Sequence, residues 1–343
     1  MDGVDQNGSG NGLMTPSRPF TIVPLVTGFL VIALLSAFVF ARFGDLARFL
    51  ETAKEARPWW MLAAVVFQVL TYAATGEMWN VSVRASGRRL RTRTLARFAV
   101  EKLSIDQFMP SAGIAGHVGV LQAMRRFGLP ASVAMESFFI DVLSYHAAYA
   151  CAALGAFAFL SFHREVTSVV LVILGAFSLL TISVLATTIR LLRNRGRHLP
   201  TWISERSIVS RLLRAMSQIS SRRVLSPRVL SKAFVLQFSV FVLDGATFYS
   251  TLRAIGVAVP YGIAFAAYVI AMIAGTVSFI PGGIGTFEVA TVTILFGFGV
   301  SLEGALAGTL LLRGLTLWIP LIPGSILAHH DLVPKGDRTE RTD

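Results

Sequence analysis

The feature that most constrains this chain is the recurrence of apolar runs long enough to cross a bilayer. A hydrocarbon core about 30 Å thick takes about 20 apolar residues as a helix. Runs of that kind lie at 20–41, 58–81, 136–160, 166–189, 229–252 and 302–328, and 261–279 is also long enough. Backbone in lipid must satisfy its own hydrogen bonds, which a helix does within one segment. The predicted class is therefore an all-α polytopic membrane protein, with about six full spans plus two broken segments, or about eight spans. Charge content agrees, at 15% of 343 residues against about 25% in soluble proteins. One transmembrane domain is expected over 20–331, with a basic linker at 190–228. A Gly/Asn-rich segment, 1–19, reads as a disordered cytoplasmic tail, and 332–343 as a C-terminal tail. The N-terminal segment lacks a basic n-region and a small-x-small cleavage site, so it does not read as a signal peptide.

The formal charge of +12 is unevenly placed. Arg84, Arg88, Arg89, Arg91, Arg93, Arg97 and Lys102 form one basic stretch. Ten arginines and Lys232 form another between 190 and 232, and the two stretches hold 18 of the 31 Lys and Arg residues. Both abut apolar spans, so the positive-inside rule explains them better than nucleic-acid binding does. Contact with anionic headgroups is a compatible second role. The first loop, 42–57, balances its charges and can lie outside. The expected topology places the N-terminus, both basic stretches and the C-terminus on the cytoplasmic side of a bacterial inner membrane. Cys151 lies in an apolar run and reads as a packing residue, and no zinc spacing exists. No cofactor, metal or catalytic residue is expected, and the oligomeric state is open.

Two segments resist simple assignment. Residues 94–127 mix apolar residues with Arg97, Lys102, His117 and a Pro/Gly cluster, and 281–299 opens on Pro281-Gly-Gly. A shift of 171 residues pairs Phe108 with Phe279, Pro110 with Pro281, Val118 with Val289, Phe127 with Phe298, Gly128 with Gly299 and Ala134 with Ala305. It also lays span 58–81 on span 229–252. The charge pattern runs those two spans in opposite directions, so 58–160 and 229–331 are expected to be an inverted repeat, a transporter architecture. Each Pro/Gly break then joins two short helices as a re-entrant hairpin, whose freed backbone must be buried in protein or line a wet cavity. The alternative is two ordinary spans joined by a tight turn.

Ionisable side chains inside apolar spans cost about 2.5–3.5 kcal/mol on insertion scales. The candidates are Glu77, Glu136, Asp141, His146, Asp244, Glu288 and Arg313. Glu77 and Glu136 sit near an interface, where snorkelling lowers the cost. Arg313 lies eleven residues into its run and Glu288 seven residues past Pro281, so a Glu288–Arg313 pair is expected. Such a pair either fixes helix packing only or presents Arg313 to a headgroup phosphate, which its planar fork suits. Gly282, Gly283 and Gly285 permit positive φ and close approach. The helix that follows offers N–H groups and a positive dipole end to an anion. The first-half counterpart is Pro110, Gly113, Gly116 and His117. Asp141 and Tyr145, four residues apart, share a helix face and either line the cavity or pair. No nucleophile–base set or P-loop is present, and two prolines in Trp318-Ile-Pro-Leu-Ile-Pro-Gly324 are expected to kink the last span.

Pro281-Gly-Gly-Ile-Gly-Thr-Phe-Glu288, then Arg313, Trp318, Pro320 and Gly324, resembles the lysylphosphatidylglycerol synthase transmembrane (flippase-like) family. Pro110, Gly113, Gly116 and Asp141 are similar to that family's other helix-break region, and the resemblance covers roughly 20–330. The sequence departs from the family pattern at Ala112 and at Ser137, where relatives often carry Arg. The resemblance implies movement of a lipid across the inner membrane, or handling of an isoprenoid- or sugar-linked lipid, with Pro281, Gly282, Gly283, Glu288 and Arg313 as site positions. The soluble aminoacyl-transferring domain of bifunctional members has no counterpart in this sequence, so synthesis of aminoacylated lipid is not expected. The leading expectation is a lipid translocase without ATPase machinery, whose partners are anionic phospholipid or lipid-linked substrates. Its rivals are an accessory scaffold for a lipid-modifying enzyme, as in glycolipid or hopanoid assembly, and an intramembrane enzyme acting on lipid phosphates.

Overall fold

The structure is a computed structural model, and it describes residues 51–52, 54–108, 114–163, 168–194, 219–278 and 280–318. The span expected at 20–41, both tails, most of the basic linker, Pro110, Gly113 and the Pro320 region lie outside the described residues. All regular structure among those described is helical. In chain order the helices are α1 (Pro58–Ala85), α2 (Thr92–Phe108), α3 (Ile114–Arg126), α4 (Ala131–Phe162), α5 (Ser168–Asn194), a single turn α6 (Ser221–Val224), α7 (Pro227–Ala254), α8 (Tyr261–Ser278), α9 (Thr286–Gly297) and α10 (Leu302–Arg313). A 3₁₀ turn, Pro281–Gly283, separates α8 from α9, and a π turn, Gly314–Trp318, follows α10. Five of these helices are long and apolar enough to cross a membrane: α1, α4, α5, α7 and α8. The chain is a multi-pass α-helical membrane protein.

Polarity is arranged accordingly. Large apolar side chains stand exposed along α1 (Leu62, Val65, Val66, Val69), α5 (Leu171, Val172, Leu179, Ile182) and α7 (Val235). Polar ones are buried between helices, including Gln68, Thr71, Glu136, Asp141, Gln237 and Arg313. An apolar outer surface of this extent is unsuited to water and suited to lipid.

Local chemistry sets the helix ends. Pro58 and Pro227 start α1 and α7 at the first turn, where a missing N–H leaves no helical bond unmade. Four glycines with φ between 79° and 86° follow α1, α3, α7 and α9: Gly87, Gly128, Gly256 and Gly299. Only glycine adopts that conformation freely. At each, the glycine N–H and the next residue's N–H bond back to the last turn, as in Gly128→Arg125 at 3.1 Å and Gly299→Phe296 at 2.9 Å. Helices α1 and α7 thus share a proline start and a glycine end, and α3 and α9 share a glycine end. Pro58/Pro227 and Gly87/Gly256 are 169 apart, whereas Gly128/Gly299 are 171 apart. The uniform 171-residue shift read from sequence fits the last of these pairs and is two residues off for the first two.

Helices α1 and α7 pack against each other more extensively than any other pair, and they run antiparallel. Arg57 at the head of α1 donates its N–H to the Ala254 carbonyl at the tail of α7 (2.8 Å). Mid-helix, Thr71 of α1 donates to Asp244 of α7 (3.0 Å). Near that shared end, Arg253 lies over the Trp60 ring, 5.4 Å from its centroid. At the opposite end, Val83, Leu129, Leu192, Ile219 and Val224 form one buried cluster. The flanks of both basic stretches therefore gather at one end of the bundle.

The α8–α9 pair is a helical hairpin. Its outer ends meet the same feature, the tail of α4: a side chain at Gly262 would strike the Phe159 ring, and Phe298 faces His163 with ring centroids 5.9 Å apart. Helix α9 has 12 residues, about 18 Å at 1.5 Å per residue, whereas the 32 residues of α4 run about 48 Å. The turn at 280–285 therefore sits partway along the bundle. The two prolines expected to kink the last span lie beyond the described residues, which end at Trp318. Helix α10 ends at Arg313, and the π turn begins at Gly314, before Trp318.

If α1 and α7 are antiparallel neighbours, cysteines replacing Trp60 and Tyr249 (ring centroids 5.8 Å apart), with Cys151 replaced by Ala, will be joined by a short bifunctional thiol-reactive reagent. A Trp60→Cys/Lys232→Cys pair, at opposite ends, will not. Equal linkage of both pairs, read on a denaturing gel, contradicts the packing.

Candidate functional site

The site forms where α8 stops and α9 starts. Gly282, Gly283 and Gly285 all have positive φ, at 60°, 62° and 83°, so each is placed where a Cβ introduces strain. Gly283 also lies against α8, where a Cβ would come 2.9 Å from the Gly275 Cα. The turn can approach that helix only as glycine on glycine. Two hydroxyls tie its sides together. Thr286 Oγ1 donates to the Gly283 carbonyl (3.0 Å) and lies 3.2 Å from Ser278 Oγ, which in turn donates to the Gly275 carbonyl (2.8 Å).

Glu288, in the first turn of α9, bends back and accepts the Gly285 N–H on Oε2 (2.7 Å). This is the acidic half of a capping box, and it places negative charge at the positive end of the helix. Its other oxygen, Oε1, accepts Arg313 Nε (2.9 Å). A second Arg313 nitrogen donates to the Gly282 carbonyl (2.6 Å), and the guanidinium lies 4.4 Å from the Phe287 ring centroid. Arg313 is 8% exposed. One guanidinium thus meets a carboxylate, a carbonyl released by the helix break and an aromatic face. Charge-assisted bonds of this kind are about twice as strong as neutral ones.

The structure brings Pro281, Gly282, Gly283, Gly285, Glu288 and Arg313 into one cluster, with Pro281 opening the turn. One of the N–H groups that the sequence offered to an external anion, that of Gly285, is occupied by Glu288 itself. Of the first-half positions, Pro110 and Gly113 lie outside the described residues, Gly116 is buried and His117 falls in the first turn of α3. Helix α2, which leads toward the first break, packs against the Pro281–Gly283 turn. Asp141 is fully buried and accepts from Gln237 Nε2 of α7. Tyr145 packs at a tilt against Tyr149 and Phe241.

At two further polar nodes the sequence names the acid but not its partners. Glu136 accepts from Arg223 (2.7 Å) and from the Ser220 N–H (3.0 Å), anchoring the end of the basic linker to α4. Arg223 was read only as one of a crowd of positive charges. Asp244 was recognised as costly, but its partners were not. Oδ1 accepts from Thr71 of α1 and Oδ2 from Tyr268 of α8 (2.7 Å). The available signal was that Gln237 and Asp244 are seven residues apart and so share a face of α7. No group of three or more His, Cys, Asp or Glu residues suited to a metal ion occurs among the described residues.

Arg313→Met leaves the part-buried Glu288 carboxylate without its cation and is expected to lower stability by about 1–3 kcal/mol, read as thermal unfolding of purified protein in detergent. Adding Glu288→Gln is expected to restore much of the loss, because a glutamine can still accept the Gly285 N–H. An undiminished loss in the double variant would show that the pair is not what Arg313 contributes.

A family model described as the lysylphosphatidylglycerol synthase TM region matches residues 25–324. The chain is also similar to a UPF0104 membrane protein of Methanothermobacter thermautotrophicus (strain Delta H). That relative is 21% identical over 299 residues, covering 78% of this chain and 84% of the relative. The match takes in the α8–α9 hairpin, Glu288 and Arg313, and the chain belongs to the lysylphosphatidylglycerol synthase TM region family.

Proposed function

We propose that the chain is a lipid translocase of the bacterial inner membrane that works without ATPase machinery. Its two halves act as an inverted repeat, and the α8–α9 hairpin is re-entrant. The observation that carries this reading is the interrupted helix at Pro281–Gly285, held by a buried guanidinium partway along the bundle. Non-helical backbone at membrane depth is tolerated only inside protein or along a wet cavity. A guanidinium there offers a phosphate a bidentate partner that can exchange with Glu288.

Several features support the rest of the proposal. The antiparallel α1–α7 pair and the repeated cap chemistry favour inverted halves, as in many transporters. Gathering of both basic flanks at one end favours that end as cytoplasmic, because positive charge is retained inside. The family's description points to phosphatidylglycerol carrying an amino acid as one cargo to test. Headgroup exchange requires Arg313 to leave Glu288 transiently while acyl chains stay in lipid beside the exposed apolar faces.

An accessory scaffold for a lipid-modifying enzyme is the second reading. It is favoured by one observation, that both Glu288 oxygens are already bound within the protein. The readings separate in liposomes holding purified protein and fluorescent phosphatidylglycerol, lysylphosphatidylglycerol or a glycolipid. A translocase exposes inner-leaflet label to an external quencher at least about ten-fold faster than empty vesicles, and Arg313→Lys, which keeps charge but loses the planar fork, slows it. Exposure at the empty-vesicle rate for every lipid ends the translocase reading.

A further inference from the structure

Asp244 lies in the middle of α7, yet its two oxygens accept from two hydroxyls, Thr71 and Tyr268. The other spanning acids with ion pairs described, Glu77, Glu136 and Glu288, meet Arg84, Arg223 and Arg313. A carboxylate in a span held by neutral donors can be occupied in either charge state, since each hydroxyl can donate or accept. When ionised, it takes two charge-assisted bonds, one from α1 and one from α8. When protonated, it must donate one bond, so either Thr71 or Tyr268 has to turn round or let go.

The position gives that change a consequence. Asp244 joins α1 and α7, the antiparallel pair, to α8, the first arm of the hairpin. Tyr268 packs edge-on against Phe287, with ring centroids 6.2 Å apart. Phe287 in turn carries the Arg313 guanidinium at 4.4 Å. Asp244, Tyr268, Phe287, Arg313 and Glu288 are therefore one contiguous set of contacts, the physical requirement for coupling between two sites.

The titratable groups around Asp244 are Tyr72 on α1 and Tyr261 and Tyr268 on α8, with Tyr145 and Tyr149 beyond on α4. Asp141 is held by Gln237, two turns along α7, and Arg313 is engaged by Glu288 behind Phe287.

We infer that Asp244 is a proton-binding site that couples headgroup movement at the Gly282–Arg313 cluster to a proton gradient, resting on the translocase reading above. Proton loading weakens the hold of α7 on α1 and α8, and proton release restores it. The lipid cargo and the proton thus bind at separate places and communicate through Tyr268 and Phe287.

The experiment uses full-length protein in vesicles containing fluorescent phosphatidylglycerol, with a pH gradient imposed and membrane potential clamped by potassium and valinomycin. Wild-type lipid exposure should speed up about ten-fold with the gradient, within the usual range of coupling between sites, and a protonophore should abolish the gain. Asp244→Asn should lose the gain. Tyr268→Phe keeps the acid but cuts its link to the hairpin, and should lose most of it. A wild type that moves lipid indifferently to pH, responds to a sodium gradient instead, or keeps its gain in Asp244→Asn overturns the proposal. Infrared spectra over a pH series decide proton binding independently. A carboxylic-acid carbonyl band absent from Asp244→Asn supports it, and no such band at any pH overturns it. Should wild type move no lipid at all, the translocase reading falls, and the infrared series still decides whether Asp244 takes up a proton.

Discussion

The contact on which the site depends is that of Arg313 with the Gly282 carbonyl and Glu288. A helix broken at Pro281 releases carbonyls and N–H groups that lipid cannot satisfy. Arg313 answers one of these carbonyls, and Glu288 answers one of the N–H groups. Each also satisfies the other's charge, which neither could readily carry alone inside the bundle. The break and the ion pair are thus two halves of one solution. Without the arginine the turn lacks a donor, and without the turn the arginine lacks an oxygen fixed in place.

The same logic, in which a buried acid is answered from another helix, recurs in the interior. Asp244 answers Thr71 and Tyr268, Asp141 answers Gln237, and Glu136 answers Arg223 with Ser220. Apolar packing alone discriminates poorly between helix arrangements in lipid, because lipid tails are as apolar as leucine. These nodes specify which helices meet and in what register. Close backbone approach does the rest: Gly308 of α10 has no room for a Cβ against Leu252 of α7, and Gly245 of α7 none against Phe265 of α8.

The class of fold was legible because hydrocarbon length is a property of composition within a window. Runs at 58–81, 136–160, 166–189, 229–252 and 261–279 needed no knowledge of partners. The break at Pro281 was legible for a local reason, since consecutive glycines after a proline have few other uses in an apolar run. The pairing of Glu288 with Arg313 followed from cost, because two opposite charges in neighbouring segments had few other ways to be buried. What stayed hidden was every contact resting on a neutral donor. Thr71, Tyr268 and Gln237 are ordinary in any helix, and nothing along the chain states which acid each will meet. The π turn at Gly314 was equally hidden. Its sequence, Gly-Leu-Thr-Leu-Trp, continues an apolar helix in every local respect.

The central claim is that a lipid headgroup reaches the interrupted helix within the bundle. Photocrosslinking tests it most directly, using a phospholipid with a photoreactive group on its headgroup, protein in lipid nanodiscs, and peptide mapping by mass spectrometry. The account expects adducts on the 280–288 segment, competed by unlabelled lipid and lost when Arg313 is replaced. Adducts confined to residues at the two ends of the bundle, with none on 280–288, would contradict it.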